Sequence, residues 1–146
     1  MINMKKLGIV FILMFCLISC SNNEADRIVA PDYYGKWELT RLTGVFIPAL
    51  YIEGQPQWHE YYDFKTDGTF LKTRIQGTTK TDAFGKFEII KLQNETHLSL
   101  TYNEDNDIIG NCFGNLGEDL YINSEGLLTS TWKMCDGPGL FYDKVR

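Results

Sequence analysis

Histidine is scarce in these 146 residues: only His59 and His97 occur. A metal centre needs several converging donors, and nothing in the chain is spaced as a zinc motif. No G-x-S-x-G run supplies a nucleophile elbow, and a nucleophile–base pair would need one histidine beside a hydroxyl or thiolate from elsewhere in the chain. Both histidines read as surface strand positions. Positive charge is also short, with 14 Lys and Arg against 19 Asp and Glu, a formal net charge of -5. That balance argues against a nucleic-acid partner and against a domain lying flat on anionic lipid. Helical periodicity is missing everywhere beyond the first twenty residues. The acidic run Asn103-Glu104-Asp105-Asn106-Asp107 lacks the spaced Asp, Gly and terminal Glu of an EF-hand loop and reads as a solvated turn. Glu60, Asp63 and Glu88 could supply paired carboxylates for glycoside chemistry, but alternating strand acids usually face water. No catalysis, metal or cofactor is expected.

What is present begins with a leader. Lys5 and Lys6 form a positive start, and Leu7 to Ile18 is an uncharged apolar run. The run is short for a membrane span and sits where a secretory signal has its apolar stretch. Leu17-Ile18-Ser19-Cys20 follows. These elements together resemble a bacterial lipoprotein signal. The resemblance implies cleavage before Cys20 and acylation of that residue, so that acyl chains rather than a basic patch hold the protein to a membrane. Residues 1–19 are then a signal peptide, 20–32 a lipidated cysteine and polar tether, and 33–146 one domain with one core. Losing Lys5 and Lys6 makes the mature chain still more acidic. Ser21 after the cysteine resembles an outer-membrane address, so the expected location is the cell envelope, on the outer membrane.

Cys16 leaves with the leader and Cys20 takes lipid. Cys112 and Cys135 remain, and an even pair in an exported domain reads as a disulfide.

From Gly35 onward the chain is a succession of short alternating stretches. Trp37 and Leu39 share one face of the first strand, from Gly35 to about Thr43. Trp58 to Lys65 is a second strand, with Tyr62 and Phe64 alternating against Tyr61 and Asp63. Asp67-Gly68 supplies a hairpin turn, and Phe70 to Gln76 returns with Lys72 and Arg74 alternating against Leu71 and Ile75. Ala83 to Leu92 and Thr96 to Tyr102 follow. Ile108-Ile109 reads as a short strand, as do Glu118 to Asn123, Leu127 to Met134 and Leu140 to Val145. Consecutive hairpins leave unpaired edges unless the sheet closes. The expected fold is therefore all-β: a small antiparallel up-and-down barrel of eight or nine strands, wide enough for side chains or one small ligand.

The residues Gly35-x-Trp37, Phe64-Lys65-Thr66-Asp67-Gly68-Thr69-Phe70, Gly85-Lys86-Phe87 and the strand with Leu98 and Leu100 resemble the small lipocalin-like lipoproteins of Bacteroidetes. The resemblance implies that Gly35 and Trp37 sit at a closed end, with the tryptophan beneath a cation from the last strand, Lys144 or Arg146; Arg41 is an alternative on the first strand.

The connection from Val45 to Gln57 is long, and its middle is apolar, unlike an ordinary surface loop. It is expected to lie over the open end, where Phe46, Ile47, Leu50, Tyr51 and Trp58 are candidate mouth residues. Tyr33, Tyr34, Tyr61 and Tyr62 could join them, or could fill the core. The function that follows is a membrane-anchored barrel binding a small apolar or amphipathic ligand. The alternative is a protein-interaction lipoprotein, an inhibitor or accessory subunit of an envelope complex, with a filled barrel.

Overall fold

The computed structural model describes residues 33–44, 58–92 and 95–146. The candidate mouth residues Phe46, Ile47, Leu50 and Tyr51, and the lipidation candidate Cys20, lie outside these. Eight strands follow one another: β1 (Gly35–Thr43), β2 (His59–Phe64), β3 (Thr69–Gln76), β4 (Thr79–Leu92), β5 (Glu95–Tyr102), β6 (Gly117–Ile122), β7 (Leu128–Ser130) and β8 (Gly139–Lys144). Each pairs antiparallel with the next, and β1 pairs with β8, so the sheet is a closed up-and-down barrel. The all-β expectation holds, with the strand count settled at eight.

Two of the expected strands are something else. Ile108-Ile109 belongs to the connection between β5 and β6. There the side chain of Asn106 accepts from the Ile108 amide at 3.2 Å, and its carbonyl accepts from the Ile109 amide at 3.1 Å. These local bonds satisfy the backbone without a partner strand. The stretch from Leu127 ends as a strand at Ser130, because the Ser130 hydroxyl caps the Trp132 amide and starts a 3-10 helix over Thr131–Cys135. Asp136, in the left-handed region at φ 68°, ends that helix.

Alternation places one set of side chains inside the barrel. Tyr62 and Phe64 of β2 stack at 5.5 Å; Phe70 of β3 meets Tyr102 of β5 edge-on at 4.9 Å; Tyr62 meets Tyr142 of β8 at 5.0 Å. Leu98 and Leu100 of β5, Leu120 of β6, Leu128 of β7 and Leu140 of β8 complete the core. On β3 the inward face is the opposite of what charge suggests. Phe64 and Phe70 pair directly across the Asp67-Gly68 turn. The inward face of β3 therefore runs through Phe70, Lys72 and Arg74, while Leu71 and Ile75 point outward and are half-buried.

The barrel has two unlike ends. At one, Trp37 is buried and its indole N–H donates to the Tyr33 carbonyl at 3.0 Å. Lys144 stands 5.9 Å from the ring centroid. Arg41 instead lies over Phe141 at 4.2 Å and pairs with Glu125 at 3.2 Å. Gly35, at φ 96°, adopts a backbone conformation that other residues avoid, where the chain enters β1. This is the closed end, and Arg146 ends the chain on the same side, after β8. The other end carries the β3–β4 turn at Gly77-Thr78, the connection 103–116 and the 3-10 helix, joined by the Cys112–Cys135 disulfide.

Candidate functional site

The middle of the barrel is polar. Lys72 of β3, Glu60 of β2 and Glu118 of β6 are all buried away from water. The Lys72 ammonium donates to both carboxylate oxygens of Glu118 at 3.1 Å and stands 3.6 Å from Glu60. Since β3 and β6 are separated by two strands one way round the barrel and by four the other way, this ion pair crosses the lumen. Tyr102 donates to Glu118, and Tyr142 donates to Glu60 at 2.6 Å. Arg74 donates through Nε to Glu60, and the Trp58 indole N–H donates to the same carboxylate at 3.0 Å. Two cations and two carboxylates balance, as buried charges must.

Environment sets the protonation of this network. Burial pushes the Glu60 carboxyl up, but the charges of Lys72 and Arg74 and the hydrogen bonds from Tyr142 and Arg74 outweigh it, and its pKa ends below the ordinary value. The phenols of Tyr62, Tyr102 and Tyr142 go the other way. Burial first, and then the nearby carboxylates, hold all three well above the usual tyrosine range. Glu118 and Glu60 therefore each accept from a phenol, Tyr102 and Tyr142, that stays neutral.

One part of the network is open toward the disulfide end. The Arg74 guanidinium stacks on Trp58, 4.8 Å from ring to carbon, and is clamped by Glu60. Its Nη2 is buried and has no hydrogen-bond partner among the described residues. Arg74 also lines a cleft of about 320 Å³ with Gln76, Thr79, Thr81, Asp107 and Ile108. Five of these six are polar.

A cap closes the lumen beside this cleft. Ile108 is buried, and Gly110 packs so closely that a Cβ there would come within 2.7 Å of Glu118 Oε1 and 3.1 Å of the Trp132 ring. Gly137 lies on the same indole, 2.5 Å from where its Cβ would be. Trp132 is thus held between two glycines, and Cys112–Cys135, with an S–S bond of 1.95 Å, ties the connection 103–116 to the 3-10 helix.

Among the described residues, Trp58 is the mouth aromatic placed at this site, while Phe46 and Tyr51 lie outside them. Tyr62 is core, Tyr33 is buried under Trp37, Tyr34 lies exposed at the closed end, and Tyr61 faces outward beneath Lys36 at 4.1 Å. Glu60, expected to face water, is the most heavily bonded carboxylate in the barrel. Lys72, Glu118, Tyr102 and Tyr142 were not anticipated as a group. Their signal was the Phe64/Phe70 pairing across a tight turn, which turns Lys72 and Arg74 inward. Among the described residues no three His, Cys, Asp or Glu side chains cluster as metal ligands. Asn103 to Asp107 is part of the connection over the cap rather than a simple hairpin turn.

Comparison with known proteins adds no relative: no family model, curated protein or solved structure matches the chain.

Proposed function

We propose that this is an envelope lipoprotein, anchored through acylated Cys20, whose lipocalin-like barrel binds a small polar ligand at its open end rather than an apolar one in its lumen. The observation that carries the reading is Arg74: a guanidinium fixed by Glu60 and Trp58, with a buried, unpartnered Nη2 beside a cleft of about 320 Å³. Leaving such a donor unbonded is costly, and a ligand acceptor would relieve the cost. The cleft is at the small end of the range for ligand sites. Lys72 and Glu118 occupy the mid-barrel, which keeps a ligand near the rim.

The domain from Tyr33 to Arg146 is a compact unit with its own core and can be studied without the leader. Native mass spectrometry of that domain, released from its own cell envelope, tests the reading. An adduct is expected that is lost in Arg74→Gln and kept in Lys91→Gln. No adduct, or one indifferent to Arg74, counts against it.

The second reading, a surface for an envelope protein, draws on Phe113 and Met134, 86% and 74% exposed on either side of the disulfide. Loss of a co-purifying protein in a Phe113→Ser, Met134→Ser variant, with no small adduct in the parent, would favour it.

A further inference from the structure

Nine large apolar side chains are exposed among the described residues, and five of them stand at the closed end: Tyr34, Ile89, Ile90, Leu92 and Val145. Their distribution follows from the strand offsets. β4 pairs with β3 only as far as Lys86, then runs on to Leu92 paired with β5 alone. Ile89 is in phase with the inward residues Ala83 and Phe87, yet it lies beyond the core and is exposed. Ile90 and Leu92 are on the outer face, Leu92 at 54% exposure. Tyr34 leans on this strand through Phe87, with ring centroids 6.3 Å apart. Val145 follows β8 on the far side of the same end, its amide bonded to the Lys36 carbonyl at 2.9 Å.

The chain that precedes the barrel arrives at this same end. Tyr33, the first described residue, is bonded to Trp37, and only twelve residues separate it from Cys20. A lipid on Cys20 would tether the domain through the chain that enters at this end. Lys36, Lys65, Lys91, Lys144 and Arg146 lie on the strands and turns of this end, with Glu38, Asp67, Glu88, Glu95, Glu125 and Asp143. Five cations against six carboxylates come close to balance, which suits zwitterionic headgroups and gives no basic attraction to anionic lipid. Tyrosine and aliphatic side chains at the depth of the headgroups, with lysine stems between them, are the composition of an interfacial contact.

We propose that the closed end is a docking surface for a zwitterionic phospholipid bilayer, seated by Tyr34, Ile89, Ile90, Leu92 and Val145. The proposal rests on the anchor reading above. It orients the molecule, with the Arg74 cleft and the disulfide cap turned toward the aqueous side. Contact stays shallow, because the β3-facing edge of β4 beyond Lys86 keeps backbone groups that need water.

The test uses the mature lipidated protein in phosphatidylethanolamine–phosphatidylcholine vesicles. Ile90→Cys, Leu92→Cys and, at the opposite end, Thr78→Cys each receive an environment-sensitive fluorophore. Intact mass confirms that Cys112 and Cys135 remain paired. The expected result is strong quenching at residues 90 and 92 by nitroxide-bearing phospholipid, and none at residue 78. Equal quenching at both ends, or none at 90 and 92 in protein that floats with the vesicles, overturns the docking surface and leaves the anchor standing. Energy transfer between labelled copies at residue 90, without quenching by lipid, assigns the surface to a second copy and also overturns the proposal. Protein that stays behind when the vesicles float, as Cys20→Ser is expected to, removes the anchor reading and the docking surface together.

Discussion

Lys72 is a charge without water, held by two carboxylates and lying 4.9 Å from the Tyr62 ring centroid. Removing one member of such a set is worse than removing a pair, because the survivors stay buried and uncompensated. Lys72→Met should therefore cost about 3–5 kcal/mol, while Lys72→Met with Glu118→Leu should cost distinctly less. Urea unfolding of both variants checks this. Equal losses would show that the two groups do not act as a unit. Trp37 differs in kind: its contribution is area and packing at the closed end. Trp37→Ala should cost about 3–5 kcal/mol, as large buried aromatics do, and a loss of a few tenths would place it outside the core.

The elements were legible where hydrophobic alternation and strand faces coincide. β2 shows Tyr62 and Phe64 on one side, and β5 shows Leu98, Leu100 and Tyr102; both faces are buried as the pattern requires. β3 was not legible from its own residues, since a lysine reads as a surface residue unless its partner is seen. That partner, Glu118, is 46 positions away and approaches through the lumen. The segment after Ser130 was hidden for another reason: a serine cap is a short-range device that outweighs strand propensity. Tyr62, which the sequence left open between mouth and core, is core, because a narrow barrel uses large rings as core filling. The Cys112–Cys135 pairing was readable once Cys16 and Cys20 were assigned to the leader and its lipid site, but its task was not. It staples the connection 103–116 to the helix that carries Trp132. Replacing both cysteines by serine should cost about 3.5 kcal/mol on a chain-entropy estimate for a loop of this size. The loss should come with faster amide exchange at Ile108 to Gly110, while β2 to β5 stay protected. Uniform loss of protection across the barrel would mean the staple serves the whole fold and not the cap.

At the level of the whole molecule, the network makes stability depend on pH at both extremes. Glu60 has a lowered pKa in the folded state, so its contribution is present above the unfolded carboxylate value and fades as acid titrates it. The three buried phenols have raised values, so their contribution is complete below the unfolded tyrosine pKa of about 10 and is lost as pH rises beyond it. The phenolate absorbance of Tyr62, Tyr102 and Tyr142 should appear only as the fold is lost, in step with circular dichroism; its appearance in the folded protein would contradict their enclosure. A ring of strands also has a history. Seven of its eight pairings join neighbours along the chain, and β1–β8 alone joins the ends, with Thr40 bonded to a carbonyl 101 positions later. Hairpins can zip locally, whereas that seam must wait for the chain to come round on itself, at the full entropic cost of a long loop. Side chains on the seam, such as Leu42 against Leu140, are therefore expected to govern how fast the barrel springs open, and to leave the rate at which it assembles nearly untouched.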